Sequence, residues 1–119
     1  MSFFLTTPQM RARVKRVTRR LKCRVKAGDR VLAVERLQGL KKGEKQIVIC
    51  EIEIVSVRKE PLWAIADADE FCGDQWVRNQ EVELEGFRNL RSNGFISMFC
   101  RHQHCPPDQK IYRIEFKYV

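Results

Sequence analysis

The sequence predicts an α+β fold that is mainly β: a small mixed β-barrel with short flanking helices. β-Branched residues alternate with charged ones in a long segment near the middle of the chain and again at its end, which indicates strands. Short helical periods lie between these segments, without the regular strand–helix–strand rhythm of a parallel sheet. The 119 residues suffice for one core, so we treat residues 1–119 as a single domain.

The first third of the chain contains one helix and two strands by its local signals. Thr7 and Pro8 suit the cap and first position of a helix, and Val17 and Thr18 favour a strand. The expected elements are a helix over residues 7–14, a strand over 16–20, a turn over 26–29 and a strand over 30–35.

The remaining two thirds of the sequence predict a hairpin, three helices and a closing strand. Two glycines and three lysines indicate a loop over residues 38–45, and Pro61 and Gly86 mark a helix start and a helix end. The expected elements are a strand over residues 46–58, helices over 61–68, 74–84 and 94–102, and a strand over 111–118.

The charge is distributed unevenly. The formal net charge is +8; residues 1–60 carry 16 Lys or Arg against 6 Asp or Glu, and residues 61–119 carry 7 against 9. A basic half suits a polyanionic partner, although short basic proteins without a specific ligand are common. We expect the ligand to be RNA or single-stranded nucleic acid, or a modified nucleoside.

The five cysteines are odd in number and irregularly spaced, which argues against a disulfide framework and predicts a reducing, cytoplasmic location. The apolar stretches are much shorter than the ~20 residues of a spanning helix, so no membrane partner is expected.

Residues 100–105 (CRHQHC) invite a zinc interpretation, because thiolates and imidazoles are the ligands that zinc prefers. The spacing argues against it, since the adjacent His104 and Cys105 do not easily reach one ion together with Cys100. The alternative is a helix end at which the histidines interact with the helix dipole. No metal and no cofactor is expected.

Residues 11–22 (RARVKRVTRRLK) form the densest basic run. On a strand, Thr18 and Arg20 share one face, and Lys15 and Arg19 share the other. One face does not accommodate every charge, so some of these residues pair with acids or line a wet pocket. Composition alone favours a solvated basic edge strand, which also blocks unwanted strand pairing.

Several segments, in order along nearly the whole chain, resemble the ASCH family. They are residues 14–20 (VKRVTRR), 28–31 (GDRV), 52–57 (IEIVSV), 60–65 (EPLWAI), 85–87 (EGF) and 112–116 (YRIEF). ASCH domains begin with a lysine, a threonine three residues later and an arginine just beyond, and then a Gly-Asp pair. The resemblance implies a PUA-like β-barrel with helices around it, similar to members carried by bacteriophages and prophages.

One branch of the ASCH family is a bacterial amidohydrolase that removes the acetyl group from N4-acetylcytidine with a lysine, a threonine and a glutamate. The resemblance matches these to Lys15, Thr18 and Glu85. Amide hydrolysis needs a nucleophile, a base and a group that handles the leaving amine. Thr18 is then the candidate nucleophile, Lys15 the base if its pKa is lowered, and Glu85 the residue that orients the lysine or relays a proton. Arg19 or Arg20 would stabilise the oxyanion or hold a phosphate.

The chain also departs from the family, whose strand is apolar where Arg16 and Arg19 stand here. Extra charge either lowers the pKa of Lys15 further or adapts the pocket to phosphate. We therefore expect an RNA-binding domain; the alternatives are an amidohydrolase acting on N4-acylated cytidine or a related modified nucleoside, and a small ribonuclease. The candidate ligand-binding residues are Arg19, Arg20, Lys41, Lys42, Lys45 and Trp76.

Trp76 is the candidate for base stacking, as aromatic residues stack bases at nucleoside and single-strand sites. It is favoured over Trp63 because it lies nearer to Glu85 in sequence. Phe71 and Phe87 are further aromatic candidates. The competing interpretation is that tryptophans in so small a domain belong to the core.

Overall fold

The structure is a computed structural model that describes residues 1–37 and 39–119, so Gln38 of the expected hairpin loop lies outside the described residues. The strands are β1 (Val17–Arg20), β2 (Arg30–Val34), β3 (Val48–Pro61), β4 (Asp69–Cys72), β5 (Gln75–Asn79) and β6 (Lys110–Tyr118). The helices are α1 (Thr7–Arg11), α2 (Gln80–Leu84) and α3 (Ser92–Gln103), with 3-10 helices at Phe4–Thr6 and Leu62–Ala68. The predicted class, α+β and mainly β, is confirmed.

The main sheet is antiparallel, has the order β1-β6-β3-β2 and curls into a half-barrel. The last strand, β6, lies between β1 and β3, and its buried Ile114 and Phe116 anchor it there. A register shift between Ile54 and Ser56 of β3 produces a bulge, and a bulge bends a long strand. β1 is therefore an edge strand that the C-terminal strand holds in register.

Two buried clusters pack around this sheet. Phe3, Met10 and Phe116 belong to the cluster that α1 covers. The 3-10 helix Leu62–Ala68 packs against α3 in the second cluster, with Phe95 among its buried members. β1 lies between the two, because Arg20 contacts the ring of Phe3 and Arg19 contacts the ring of Phe95.

The helix predicted over residues 74–84 is wrong in its first half. Gln75–Asn79 is a strand that pairs with Asp69–Cys72, and Gly73 turns between them with φ 62°. The helix forms only at Gln80–Leu84, where the buried Asn79 accepts a hydrogen bond from the Val82 amide at 3.0 Å. Trp76 and Val77 prefer strands, and pairing with β4 decided the outcome.

The other predicted elements are found with shifted ends. α1 stops at Arg11, three residues before the expected end, and α3 begins two residues earlier than expected. β2 and β3 pair as the predicted hairpin. The expected helix over residues 61–68 is a 3-10 helix with Pro61 as its cap. Within the described residues, no helix is long and apolar enough to cross a membrane.

Candidate functional site

The backbone around Lys15 is fixed by contacts with β6 and with the end of α2. After α1, Arg13 adopts a left-handed conformation (φ 58°) as the chain turns. The Lys15 carbonyl accepts a hydrogen bond of 2.5 Å from the Tyr118 hydroxyl, and the Arg16 amide donates to the Leu84 carbonyl at 2.7 Å. Burial raises the pKa of Tyr118 to about 12, so the phenol remains a donor at neutral pH. Lys15 is thereby held beside the end of α2.

Lys15 and Glu85 form a buried ion pair. Nζ of Lys15 donates to Oε1 of Glu85 at 2.6 Å and to its backbone oxygen at 2.8 Å. The residues are 2% and 3% exposed. Burial lowers the pKa of Lys15, the Glu85 carboxylate opposes that change, and the cations of Arg20 and Arg19 add to the lowering. A lowered pKa is what a lysine needs to accept a proton near neutral pH.

Gly86 permits this pairing because the absence of a side chain lets the turn after α2 pack closely against Gln9 and Lys15. It has φ 104°, a conformation that residues with a side chain rarely adopt. A Cβ atom at this position would lie 2.7 Å from Cγ of Gln9 and 3.5 Å from Cβ of Lys15. The Glu-Gly turn therefore brings the Glu85 carboxylate against the segment that follows α1.

Arg19 extends the ion pair into a network. It donates to Glu85 Oε2 at 2.9 Å and to Glu81 Oε1 at 2.8 Å. Arg113, its register partner on β6, donates to both oxygens of Glu81 at 2.6 and 2.9 Å. Burial acts to raise the pKa of Glu81, but the Arg113 hydrogen bonds and the Arg19 charge outweigh it and lower the pKa to about 2. Both terminal nitrogens of Arg19 are thus engaged by carboxylates.

Thr18 and Arg20 lie on the opposite face of β1 and contact each other. Nε of Arg20 donates to Oγ1 of Thr18 at 3.1 Å, and its Nη2 donates to the Ser2 carbonyl at 2.5 Å. The guanidinium carbon lies 4.9 Å from the centre of the Phe3 ring, in a cation–π contact. Arg20 is therefore held in one orientation, and its charge acts on Lys15 as described above.

A cavity of about 1120 Å³ opens beside Arg20. Its cationic lining residues are Arg20, Lys22, Arg24 and Arg36, and among the described residues no Asp or Glu lines it. We call this cavity the basic groove. Cations that line one concave surface attract anions, because the low-dielectric walls of a cleft focus the field.

A second cavity of about 330 Å³ adjoins the basic groove, and Phe4 and Arg36 line both. Leu40, Ile47 and Lys45 also line this smaller cavity. Its two carboxylates are already paired with arginines. We call it the side cavity.

The resemblance assigns Lys15, Thr18 and Glu85 to one site together with Arg19 or Arg20. The structure joins Lys15 to Glu85 and Thr18 to Arg20. Arg20 lines the basic groove, whereas Lys15, Thr18 and Glu85 are nearly fully buried. Their proposed roles in binding or catalysis remain predictions.

The other predicted ligand-binding residues lie on two separate hairpins. Lys41, Lys42 and Lys45 are exposed between β2 and β3, and Lys45 lines the side cavity. Trp76 lies on β5, where its indole donates to Asp69 Oδ1 at 3.1 Å and Arg91 stacks on the ring.

Residues that the sequence did not single out complete the site. Phe4 and Arg36 line both cavities, and Glu81 and Arg113 complete the buried network. Only Phe4 had a local signal, because three consecutive large apolar residues, Phe3-Phe4-Leu5, are rarely all buried by one short segment. In the structure Phe3 is buried and Phe4 is exposed. The contacts of Glu81 and Arg113 depend on pairing between distant segments.

The cysteine-histidine segment forms the end of α3. His104 adopts a left-handed conformation (φ 53°) there, and the Cys105 amide donates to the Cys100 carbonyl at 3.3 Å. All five cysteines are free. In residues 1–37 and 39–119, no three His, Cys, Asp or Glu side chains are grouped as metal ligands.

Comparison with protein-family models, with curated proteins and with solved structures finds no match for this chain.

Proposed function

We propose that this protein is an ASCH-type domain that binds single-stranded nucleic acid, RNA above all, in the basic groove. The observation that carries the proposal is the convergence of Arg20, Lys22, Arg24 and Arg36 on a cavity of about 1120 Å³. The resemblance of the chain to the ASCH family and the basic character of residues 1–60 agree with it.

Phosphate groups are the ligands that this arrangement suits. Like charges that line one groove repel one another, and bound phosphates relieve that repulsion while counterions return to the solvent. Arg20 is already oriented by Thr18 and Ser2, so its binding to a phosphate costs little side-chain entropy. Arg36 is paired with Glu44 at 2.8 Å. On binding of the ligand, Arg36 would exchange this carboxylate for a phosphate.

The test is fluorescence anisotropy with a labelled oligouridine of about 12 nucleotides, a length within the range that single-strand sites cover. Affinity should fall with salt along a log–log slope of about −0.7 per phosphate neutralised. Lys22→Glu should weaken binding strongly. Lys117→Glu is the matched control, because Lys117 lies at the opposite end of β6 from the residue that pairs with Arg20. Salt-independent binding, or equal losses in the two variants, would contradict the proposal.

We propose amidohydrolysis of an N4-acylated cytidine as the second candidate, and the lowered pKa of Lys15 beside Glu85 favours it. In this reaction Thr18 Oγ1 bonds to the acyl carbon, and its hydroxyl proton passes through one bound water to neutral Lys15, because Lys15 pairs with Glu85 on the other face of β1 from Thr18. The carbon–nitrogen bond then breaks, and the Lys15 ammonium returns the proton to the N4 amine. Water hydrolyses the threonine ester, releases the carboxylate and restores Thr18.

Binding ranks above hydrolysis for a structural reason. The Glu85 carboxylate at 2.6 Å stabilises the charged form of Lys15, which is the form that does not accept a proton. The basic groove, in contrast, is open to a ligand without rearrangement of that pair.

A further inference from the structure

The exposed ring of Phe4 marks the junction of the two cavities. Phe4 is 62% exposed, although the preceding Phe3 is buried in the core, and it lines both the basic groove and the side cavity. The 3-10 helix Phe4–Thr6 holds it outward, and the Thr7 hydroxyl fixes that turn by donating to the Phe3 carbonyl at 2.9 Å. A large apolar ring held at the rim of a basic groove is suited to the face of a nucleobase.

We infer that the ligand is a single-stranded polynucleotide that passes through both cavities and stacks one base on Phe4. This inference rests on the proposed function and adds the course of the strand over the two cavities and the residue that distinguishes a single strand from a duplex.

The distribution of charge over the two cavities indicates which part of the ligand each cavity binds. The basic groove presents Arg20, Lys22 and Arg24 to the sugar-phosphate backbone. Apart from the ammonium of Lys45, the side cavity offers little free charge, since Glu35 is paired with Arg11 at 2.6 Å and Glu44 with Arg36 at 2.8 Å. Its apolar lining therefore suits an unstacked base.

The size of the basic groove favours a polymer over a mononucleotide. The basic groove alone exceeds the ~300–1,000 Å³ typical of small-molecule pockets. Because Phe4 and Arg36 line both cavities, the two cavities border each other, and an extended strand is the form of ligand that reaches both. A duplex keeps its bases paired and stacked, so it does not present a base face to Phe4.

Stacking predicts tolerance of sequence, since every base has a π-face. The side cavity has few polar groups free to read a base edge: the Thr7 hydroxyl is already donated to a backbone carbonyl. Phe4 therefore supplies preference for single strands and little preference among bases.

The experiment compares wild type with Phe4→Ala, Phe4→Trp, Leu5→Ala and Lys22→Glu. Leu5 is the matched control because it belongs to the same 3-10 helix and is 56% exposed without lining either cavity as described. The probes are a labelled oligouridine, the same strand annealed to oligoadenosine, uridine monophosphate and an acidic peptide of similar charge. A second oligouridine carries 4-thiouridine for photo-cross-linking, with the linked residue identified by mass spectrometry.

Phe4→Ala should weaken single-strand binding by about fivefold to 150-fold, the equivalent of ~1–3 kcal/mol per stacked base. Phe4→Trp and Leu5→Ala should bind as wild type, duplex affinity should not change in Phe4→Ala, and the cross-link should fall on Phe4. The monophosphate should bind much more weakly than the strand.

Unchanged single-strand affinity in Phe4→Ala, with a loss in Lys22→Glu, overturns the stacking inference and leaves the proposed function standing. Equal affinity of the acidic peptide and the oligonucleotide overturns the assignment of the ligand. If the wild-type protein does not bind the oligouridine at low salt, both the stacking inference and the proposed function are wrong.

Discussion

Nζ of Lys15 lies 2.6 Å from Oε1 of Glu85, although the two residues are 70 positions apart in the chain. The pair joins the segment after α1 to the end of α2, and Arg19 shares the second carboxylate oxygen. One buried carboxylate therefore neutralises cations from two positions on a basic segment. This arrangement makes Glu85 the shared acceptor of the buried network.

Replacing Glu85 should be strongly destabilising. Glu85→Gln leaves the ammonium of Lys15 and the guanidinium of Arg19 without their shared charge partner, and loss of one partner of a buried pair costs about 3–5 kcal/mol. Urea unfolding at neutral pH measures the free energy of unfolding. Glu83→Gln is the matched control, because its pair with Arg78 is partly exposed and such pairs are worth about 0–1 kcal/mol. A loss in Glu85→Gln no larger than in the control would contradict the structural role.

Glu81 should govern part of the loss of stability in acid. Its pKa in the folded protein is about 2, below the ordinary 4.5, so the unfolded chain takes up protons first as the pH falls. The stability that this carboxylate contributes is present above pH 4.5 and is lost progressively between 4.5 and about 2. Glu81→Gln should therefore be less stable than wild type at neutral pH and should show a flatter decline over that range. An unchanged slope would show that other carboxylates carry the acid response.

Gly86 should be less tolerant of a side chain than Gly28. Both have positive φ, at 104° and 93°, but a Cβ at position 86 overlaps Gln9, whereas one at position 28 has no neighbour within 4 Å. Gly28→Ala should cost about 1–2 kcal/mol from backbone strain. Gly86→Ala should cost about 1–3 kcal/mol more, from overpacking. Equal free energies of unfolding in the two variants would mean that Gln9 moves away freely.

The lysines of the β2–β3 loop should add long-range attraction to the groove. Replacing Lys41, Lys42 and Lys45 together by alanine should reduce the magnitude of the salt slope by as much as about 2, since each phosphate contact contributes about 0.7. The measurement is oligouridine affinity between about 50 and 200 mM salt. Lys117→Ala provides the control for loss of a distant charge. A slope equal to that of wild type would place the phosphates away from this loop.

Lys15→Arg separates hydrolysis from binding. Arginine keeps the charge but does not act as a base at neutral pH, so acetate release from N4-acetylcytidine should stop while RNA affinity is retained. Thr18→Val should also stop hydrolysis. If the protein only binds RNA, the same change should weaken the free energy of binding by only about 1 kcal/mol, the contribution of one hydrogen bond. Losses in Lys15, Thr18 and Glu85 variants should be strongly non-additive.

Thermal unfolding of each variant checks that the larger arginine fits, since Lys15 is buried. Wild type that binds RNA and never releases acetate would exclude this substrate, and turnover that survives Lys15→Arg would exclude Lys15 as the base.

Local pattern was sufficient for most of the secondary structure. The β-branched alternation of β3 and β6 is a property of short segments and predicted the mainly β class, and Gly86 predicted the end of α2. The same reasoning failed over residues 75–79, because the pairing of β5 with β4 is a tertiary choice that overrode the expected helix.

The sequence by itself determined the uneven distribution of charge. It also determined that the basic strand carries more charges than one of its faces accommodates. Only the tertiary structure decided which of those charges are neutralised. Arg19 is turned toward Glu81 and Glu85, whereas Arg20 faces the groove. The physical reason is that adjacent residues of a strand point to opposite sides, and each side meets whatever distant element packs there. No local signal specifies that neighbour, because Glu85 reaches Lys15 through packing 70 residues away.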